Sequence, residues 1–466
     1  MTGKCKITIN NDILWADKGQ NLGEVLKSFG YDFSMPCGGK GICKKCKLIV
    51  DDKEVLACKY LVISDINVVI PRDDDIVTND NYEGNYKVEK AYLAIDIGST
   101  TIAFALVDST AKKIVRKKSF VNPQKVFGSD VMSRIEYCVK NGIGDLKRVL
   151  IDAIDKNISE FVDKNTFLEH IYVSGNTTML HTFTGEDCSG MGFAPYTPTF
   201  LESKTFCAKD KGIDTDCLVT TLPNISSFVG SDITAGLLTL SNPQQGKYNL
   251  FIDMGTNAEV VLFDKREYLV TATSAGPCFE GAGISCGMTA REGAITHFEY
   301  PDKIKFIGKE AKGICGTGLI DIIAELYKNG IIDYTGYMQE DFCISKDIVL
   351  KREDIRQFQL AKSAIRSGVA LLMEEKGISL DDIDTLYLAG GFSDFIDIDN
   401  AVASGLIDKA FSQKCKCVGN ASLKGCVIYP FNKEKAEYII KNSRYLDLTQ
   451  CQSFGDKFMK YMFLDK

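Results

Sequence analysis

Four cysteines lie close together in a glycine-rich stretch near the start of the chain: Cys37, Cys43, Cys46 and Cys58. Four thiolates supply the full ligand set of an iron–sulfur cluster, and the intervening glycines allow the backbone to wrap closely around an inorganic core. Structural zinc sites usually contain two short C-x2–4-C pairs, whereas here only Cys43 and Cys46 form one. The residues indicate an iron–sulfur cluster, with a zinc site or unligated cysteines as the alternatives.

The spacing C-x5-C-x2-C, followed by a lone fourth cysteine, is similar to the C-x4-C-x2-C…C pattern of plant-type [2Fe–2S] ferredoxins. A [4Fe–4S] cluster is the alternative. The flanking pattern predicts a hairpin, a short helix and two further strands, at residues 4–10 with 12–16, 21–29, 46–50 and 66–70. Together these elements predict an α+β β-grasp ferredoxin-like domain over residues 1–72. We expect Trp15 to be a core or hairpin residue rather than an electron relay.

Composition limits the classes of protein that fit. The 466 residues suffice for two to four domains, and the net charge of -7 gives no support to a nucleic-acid partner. We expect no membrane partner, because no apolar run reaches the ~18 residues of a membrane span and the first residues are not typical of a signal peptide. Seventeen cysteines in a long chain favour a reducing, oxygen-poor cytoplasm over a disulfide scaffold.

An acidic, asparagine-rich linker is predicted at residues 73–90. It either lets the first domain move or lies as an ordered strap on the next domain. Beyond it, residues 92–108 and 248–264 repeat one pattern: an apolar strand, an Asp-x-Gly-Ser/Thr turn and a second apolar strand that ends at Asp. Each copy is followed by predicted helices, at 129–139, 145–163 and 229–240 after the first and at 316–329, 353–377 and 433–442 after the second. The duplication therefore predicts two α/β lobes, at 91–245 and 246–466, with a cleft between them.

The repeated turns have the residues of phosphate-binding hairpins. Asp96 and Asp253 end the apolar strands, where a carboxylate can hold Mg²⁺ directly or through water. The turn glycines leave room for a phosphate, and neighbouring hydroxyl and N–H groups can donate to it. The predicted binding residues of the two turns are Gly98, Ser99, Thr100 and Thr101, and Gly255, Thr256 and Asn257. One such turn is a weak signal, but two copies with matching strands favour nucleotide binding over ordinary β-turns.

Two more glycine-rich loops fit a nucleotide site. Gly316, Thr317 and Gly318 begin a predicted helix, whose N-terminus favours anions, although a plain helix start is the alternative. Gly390, Gly391 and Phe392 follow an apolar strand, where the backbone can approach a planar base. Asp232 and Glu280 are candidates for positioning the attacking water, but helix capping would explain Asp232 nearly as well. We expect His181, in an apolar stretch, to be a core histidine.

The two hairpins and the Leu388-Ala-Gly-Gly-Phe392 loop resemble those of the actin, sugar-kinase and Hsp70 ATPase superfamily. Joined to a four-cysteine N-terminal domain, the chain resembles the reductive activators of corrinoid proteins over nearly its whole length. Segments 122–135, 174–181 and 313–321 also resemble that family. Many members carry an additional domain between the ferredoxin and ATPase parts, where this chain has only the short linker.

The resemblance implies an activity. An activator of this family takes one electron from a low-potential, ferredoxin-like donor onto a [2Fe–2S] cluster and passes it to a Co(II) corrinoid protein of a methyltransferase system. The activator hydrolyses ATP in the process, with Mg²⁺ as the metal cofactor. The alternatives are a small-molecule kinase of the same superfamily with a redox-sensing cluster, a nucleotide-dependent binding module, or an activator of another low-potential enzyme. The sequence leaves open whether the chain forms a homodimer.

Overall fold

The computed structural model describes residues 4–9, 12–29, 31, 46–51, 53–70, 88–391 and 393–464. Cys37, Cys43, Phe392 and all but the last three residues of the predicted linker lie outside these ranges. The described residues up to 221 form one compact unit, and those from 222 onward form a second. The predicted lobe boundary at residues 245 and 246 lies further along the chain, and the predicted domain limits remain a prediction.

The first unit begins with a small subdomain, residues 4–70, which we call the N-terminal subdomain. Its elements are β1 (Lys4–Ile9), β2 (Asp12–Asp17), α1 (Leu22–Ser28), β3 (Lys47–Val50), β4 (Lys53–Leu56) and β5 (Ile66–Val69). The strands form one mixed sheet in the order β2-β1-β5-β3-β4, in which β1 and β5 are parallel. The predicted hairpin, helix and strands are thereby confirmed. Trp15 lies in the hairpin strand β2, where it is 56% exposed rather than in the core.

The rest of the first unit is an α/β layer structure. Its elements are β6 (Lys90–Ile97), β7 (Thr101–Asp108), β8 (Lys113–Val121), α2 (Val131–Asn141), α3 (Gly144–Phe161), β9 (Phe167–Gly175), α4 (Thr177–Thr184), β10 (Thr205–Cys207), α5 (Ala208–Lys211) and β11 (Leu218–Thr221). Its sheet has the order β10-β11-β9-β6-β7-β8. The near-continuous apolar runs of β6 and β7 are buried on both faces, as expected for central strands.

The second unit follows the same plan with additions. Its helices are α6 (Ser231–Leu238), α7 (Gly316–Lys328), α8 (Arg352–Lys376), α9 (Ile398–Ala403), α10 (Ala421–Ile428), α11 (Lys433–Lys441) and α12 (Phe454–Tyr461). Its strands are β12 (Tyr248–Met254), β13 (Ala258–Phe263), β14 (Tyr268–Thr273), β15 (Ala294–Glu299), β16 (Lys303–Phe306), β17 (Gly313–Ile314), β18 (Phe342–Ser345), β19 (Ile348–Leu350), β20 (Ile383–Ala389), β21 (Cys415–Gly419) and β22 (Ser443–Tyr445). The main sheet has the order β21-β20-β12-β13-β14-β22.

The two main sheets confirm the internal duplication. In each, three consecutive strands form an antiparallel meander, β6-β7-β8 and β12-β13-β14. Two later strands then add in parallel on the other side of the first strand, β9 and β11 in one sheet and β20 and β21 in the other. Each predicted phosphate turn therefore joins the first two strands of a meander, at the edge where the parallel strands also end.

The long helices predicted from the sequence are all present within two or three residues of their predicted ends, including α3, α7 and α8. Helix α6, which the predicted boundary assigns to the first lobe, packs in the second unit against α10. The two helices cross at small residues, and a Cβ on Gly425 would lie 1.8 Å from the carbonyl oxygen of Ala235. Among the described residues, the helices are either too short or too polar to cross a membrane.

Candidate functional site

The first predicted phosphate hairpin, between β6 and β7, is a tight turn. Asp96 is 9% exposed near the end of β6. The backbone N–H of Gly98 donates to the carbonyl of Thr101 at 3.0 Å and closes the turn. A Cβ on Gly98 would lie 2.7 Å from that same carbonyl oxygen, so the turn requires glycine at this position. Ser99, Thr100 and Thr101 are partly exposed around it.

Two buried side chains from the segment after β8 donate hydrogen bonds to the carbonyl groups of this hairpin. The amide of Asn122 donates from Nδ2 to the carbonyl of Gly98 at 2.8 Å, and its backbone N–H donates to the carbonyl of Thr100 at 2.8 Å. Arg134, on α2, is fully buried and donates from Nη2 to the carbonyl of Ser99 at 2.5 Å. The sequence analysis noted that segment 122–135 resembles the family of activators, but it did not indicate that Asn122 and Arg134 bind the hairpin.

Arg134 also donates two hydrogen bonds to the segment itself. Its Nε donates to the carbonyl of Gly128 at 3.0 Å and its Nη1 to Oε1 of Gln124 at 3.2 Å. A buried guanidinium needs such partners, since an unsatisfied buried charge is very costly. The hydrogen bonds therefore join segment 122–134 to the hairpin.

The second hairpin, between β12 and β13, has the same tight turn. The N–H of Gly255 donates to the carbonyl of Asn257 at 3.0 Å, and the N–H of Gly276 donates to the carbonyl of Thr256 at 2.9 Å. The hydroxyl of Thr256 donates to Oε2 of Glu280 at 2.5 Å. Two predicted site residues, Thr256 and Glu280, are thus in direct contact, which their separation of 24 residues did not reveal.

Four carboxylates face one another in this unit. Asp253 and Glu259 are cross-strand partners on β12 and β13. Burial raises the pKa of Glu259 well above its ordinary value, and the neighbouring charges of Asp232, Asp253 and Glu280 raise it further. Glu259 therefore favours its neutral, protonated form more strongly than an exposed glutamate does. The sequence analysis missed it, although a lone carboxylate in the apolar run 258–263 was a usable signal.

Asp232 lies in the first turn of α6, whose N-cap is Gly230, so it is not the capping residue that the alternative interpretation required. Mg²⁺ in nucleotide sites is usually held by one or two carboxylates together with substrate phosphates. Asp253 and its acidic neighbours fit that donor set. No three Asp, Glu, His or Cys side chains within the described ranges are arranged to hold a metal ion by themselves.

The glycine loop after β20 lies beside the second hairpin. Ala389, the last residue of β20, pairs with Asp253 of β12. The loop that starts at Gly390 therefore lies next to the end of the hairpin strand β12. Gly390 has φ +111°, and a Cβ on it would lie 2.4 Å from the carbonyl oxygen of Met254. A Cβ on Gly391, by contrast, would meet nothing within 4 Å. The backbone at Gly391 therefore has open space beside the predicted phosphate turn, as an approaching base would need.

The glycines at the start of α7 have a packing role. A Cβ on Gly316 would lie 2.0 Å from the carbonyl oxygen of Phe279, and one on Gly318 would lie 2.2 Å from that of Ile295. Thr317 is buried and donates its hydroxyl to the carbonyl of Thr296 at 3.0 Å. Close packing thus accounts for this motif, and its role in nucleotide binding stays a prediction.

The two described cluster cysteines converge. The Sγ atoms of Cys46 and Cys58 lie 3.1 Å apart, with Cys46 2% exposed. The N–H of Ala57 donates to the carbonyl of Cys46 at 2.8 Å, and Nδ2 of Asn21 donates to the carbonyl of Cys58 at 3.0 Å. These bonds bring two thiols from distant positions to one point, which is the donor chemistry of a thiolate-bound metal centre. Cys37 and Cys43 lie outside the described residues.

His181 is a core histidine, as predicted. It is fully buried on α4 and stacks on Phe200 with ring centroids 4.3 Å apart. Its Nδ1 donates to the carbonyl of Thr177 at 2.7 Å, and Nε2 accepts from the N–H of Thr199 at 3.1 Å. Burial lowers the pKa of the imidazole, so the ring is neutral.

The duplicated meanders, each with a tight glycine turn between its first two strands, define a protein of the actin-like and sugar-kinase-like fold class. Residues 247–466 match the family described as the C-terminal domain of RACo, the ASKHA domain, and residues 92–242 match the RACo middle region. These two matches cover most of the chain. The chain belongs to the RACo family of reductive activators of corrinoid proteins.

Individual relatives agree with this assignment. A corrinoid activation enzyme, RamQ, of Eubacterium limosum is 29% identical over 94% of this chain and 95% of its own. A reductase of the methylated amine-specific corrinoid protein from Methanosarcina barkeri is 24% identical over 71% of this chain and 68% of its own. A solved structure, a reductive activator for a corrinoid, iron–sulfur protein, superposes with TM-score 0.74 and 28% identity, covering 99% and 98% of the two chains.

Proposed function

We propose that this protein reactivates a corrinoid protein by passing it one electron, with hydrolysis of ATP. The observation that carries the proposal is the similarity over 99% of the chain to a reductive activator for a corrinoid, iron–sulfur protein. The convergent thiols of Cys46 and Cys58 support an electron-carrying centre in the N-terminal subdomain. We propose that this subdomain is a β-grasp ferredoxin and that Cys37 and Cys43 complete the ligand set.

A [2Fe–2S] cluster held there would supply single electrons at low potential. One electron from a low-potential, ferredoxin-like donor would reach the cluster and then the substrate, whose Co(II) is reduced to Co(I). The proposed partner is a corrinoid protein of a methyltransferase system. The proposed location of the reaction is a reducing cytoplasm.

The residues proposed for ATP are those of the hairpins. The N–H and hydroxyl groups of Ser99, Thr100 and Thr101 would donate to phosphate oxygens, and Thr256 would do so in the second unit. Asp96 and Asp253 would hold Mg²⁺, directly or through water. Asp232 and Glu280 are proposed to orient the attacking water, since both face the carboxylate pair of Asp253 and Glu259.

The test is anaerobic visible spectroscopy of a Co(II) corrinoid protein mixed with this protein, excess titanium(III) citrate and Mg²⁺–ATP. We expect a Co(I) band only when ATP and the intact cluster are both present. Cys58→Ala should abolish the band, and Cys343→Ala, which removes an exposed thiol, should not. Equal Co(I) formation with ATP omitted would contradict the ATP-dependent mechanism, and phosphorylation of a small molecule instead would favour a kinase.

A further inference from the structure

The N-terminal subdomain is seated on the same segment that holds the first hairpin. Lys27, on α1, points its Nζ at two aromatic rings of that segment, 4.6 Å from the ring centroid of Phe127 and 4.3 Å from that of Tyr137. The two rings lie 4.6 Å apart and tilted by 50°. A cation this close to two ring faces is attracted by both quadrupoles.

The charges and the packing around Lys27 are those of a specific, partly buried contact. The hydroxyl of Tyr137 donates to Oδ2 of Asp145 at 2.9 Å, which places a carboxylate close to the ammonium group. Burial lowers the pKa of Lys27 to about 8, opposed by the charges of Glu24 and Asp145. One apolar cluster continues from the subdomain into α2, from Leu26 to Ile135. Lys27 is thus the charged centre of a largely apolar interface.

The hairpin on the other side of this segment shows a regular arrangement of peptide groups. The carbonyls of three successive residues, Gly98, Ser99 and Thr100, all accept hydrogen bonds from Asn122 or Arg134. In a planar trans peptide the N–H points opposite to the carbonyl. The N–H groups that follow these carbonyls therefore point away from segment 122–134, so a phosphate bound to them would lie on the opposite face of the hairpin. Successive N–H groups in such a turn form an anion-binding concavity.

We propose that segment 122–137 couples nucleotide binding to docking of the N-terminal subdomain, and that each favours the other. Docking on Phe127 and Tyr137 stabilises the segment whose Asn122 and Arg134 orient the hairpin for phosphate. Phosphate binding in turn holds the segment in the form that receives Lys27, because the coupling free energy between two sites is reciprocal. The inference rests on the proposed nucleotide site and adds that the cluster-bearing subdomain is docked with ATP and released when the phosphates leave.

Hydrogen–deuterium exchange of the full-length protein tests the coupling. The probe is Mg²⁺–AMPPNP, a non-hydrolysable ATP analogue, and the readout is amide exchange in α1 and in residues 123–137. We expect the analogue to slow exchange in α1 about 5-fold or more, the lower end of ordinary coupling free energies. Isothermal titration calorimetry of the same sample measures nucleotide binding independently.

Two variants separate the contact from general charge effects. Lys27→Glu places a carboxylate against two ring faces and Asp145, so it should undock the subdomain. The analogue should then leave α1 exchange unchanged and bind about 5-fold or more weakly. Lys18→Glu makes the same charge change at an exposed turn of the subdomain and should behave as the wild type.

The outcomes are distinct. No binding of AMPPNP by titration would overturn the proposed function itself. Binding that leaves α1 exchange in the wild type unchanged, or that speeds it, would overturn the coupling while the nucleotide site stands. The wild-type experiment decides this even if Lys27→Glu does not fold.

Discussion

The fully buried guanidinium of Arg134 donates a hydrogen bond to the carbonyl of Ser99 in the first predicted phosphate hairpin. This bond joins α2 to a turn 35 residues earlier in the chain and orients a peptide group of the proposed nucleotide site. The hairpin's geometry therefore depends on a charged side chain that a nucleotide would not touch.

Arg134→Met keeps much of the side-chain volume but removes these hydrogen bonds. We expect the affinity for Mg²⁺–ATP to fall at least about 10-fold and the free energy of unfolding to fall by about 1–3 kcal/mol, because buried carbonyls lose their donors. Isothermal titration and urea unfolding measure the two effects. Arg266→Met, at a side chain that is 87% exposed, should change neither. Unchanged affinity in a folded Arg134→Met protein would contradict the positioning role.

Cys58→Ala removes one of two thiols that meet at 3.1 Å. A four-thiolate site that loses one ligand should not retain its cluster. We expect iron and acid-labile sulfide to drop to near zero after anaerobic reconstitution, together with the visible absorption of the cluster. Cys343→Ala should keep all three signals, since that thiol is exposed. Full iron content in Cys58→Ala would show that this residue is no ligand.

The neutral, buried imidazole of His181 predicts a pH dependence of stability. Because burial lowers its pKa in the folded state, the unfolded state takes up the proton first as pH falls. The stability contribution is complete above the ordinary pKa of 6.5 and is lost as pH falls below that value. We expect the drop in Tm between pH 7.5 and pH 5 to be smaller in His181→Gln than in the wild type. Equal drops in both proteins would refute this.

The crossing of α6 and α10 has no space for a side chain at Gly425. A Cβ there would lie 1.8 Å from the carbonyl oxygen of Ala235, which is backbone and cannot rotate away. Gly425→Ala should lower the free energy of unfolding by about 1–3 kcal/mol, the usual cost of overpacking. Gly455→Ala is the matched control, because a Cβ there meets nothing within 4 Å. In a helix that exchange should stabilise slightly, by about 0.5–1 kcal/mol. Urea unfolding of both variants decides the comparison.

Much of the fold could be predicted because its signals are local and repeated. The strand–turn–strand pattern around Asp96 recurs around Asp253, and both copies are meanders in the structure. The helix predicted at 353–377 is α8, with nearly the same ends.

The contacts that hold the sites could not be predicted in the same way, since they join distant segments. Nothing in the spacing of Asn122 or Arg134 indicates that they bind the carbonyls of hairpin residues. Glu259 acquires its raised pKa only when the fold buries it and brings other carboxylates near it. The glycines at 316 and 318 pointed to an anion site, and the structure shows that close packing also requires them.

A single-turnover reduction tests the central proposal most directly. The protein, reduced beforehand and freed of reductant, is mixed anaerobically with a Co(II) corrinoid protein with or without Mg²⁺–ATP, and the absorbance of Co(I) is compared with that of the cluster. The proposal predicts one Co(I) formed per reduced cluster oxidised, with ATP required. Cluster oxidation without Co(I), or the same yield without ATP, would contradict it.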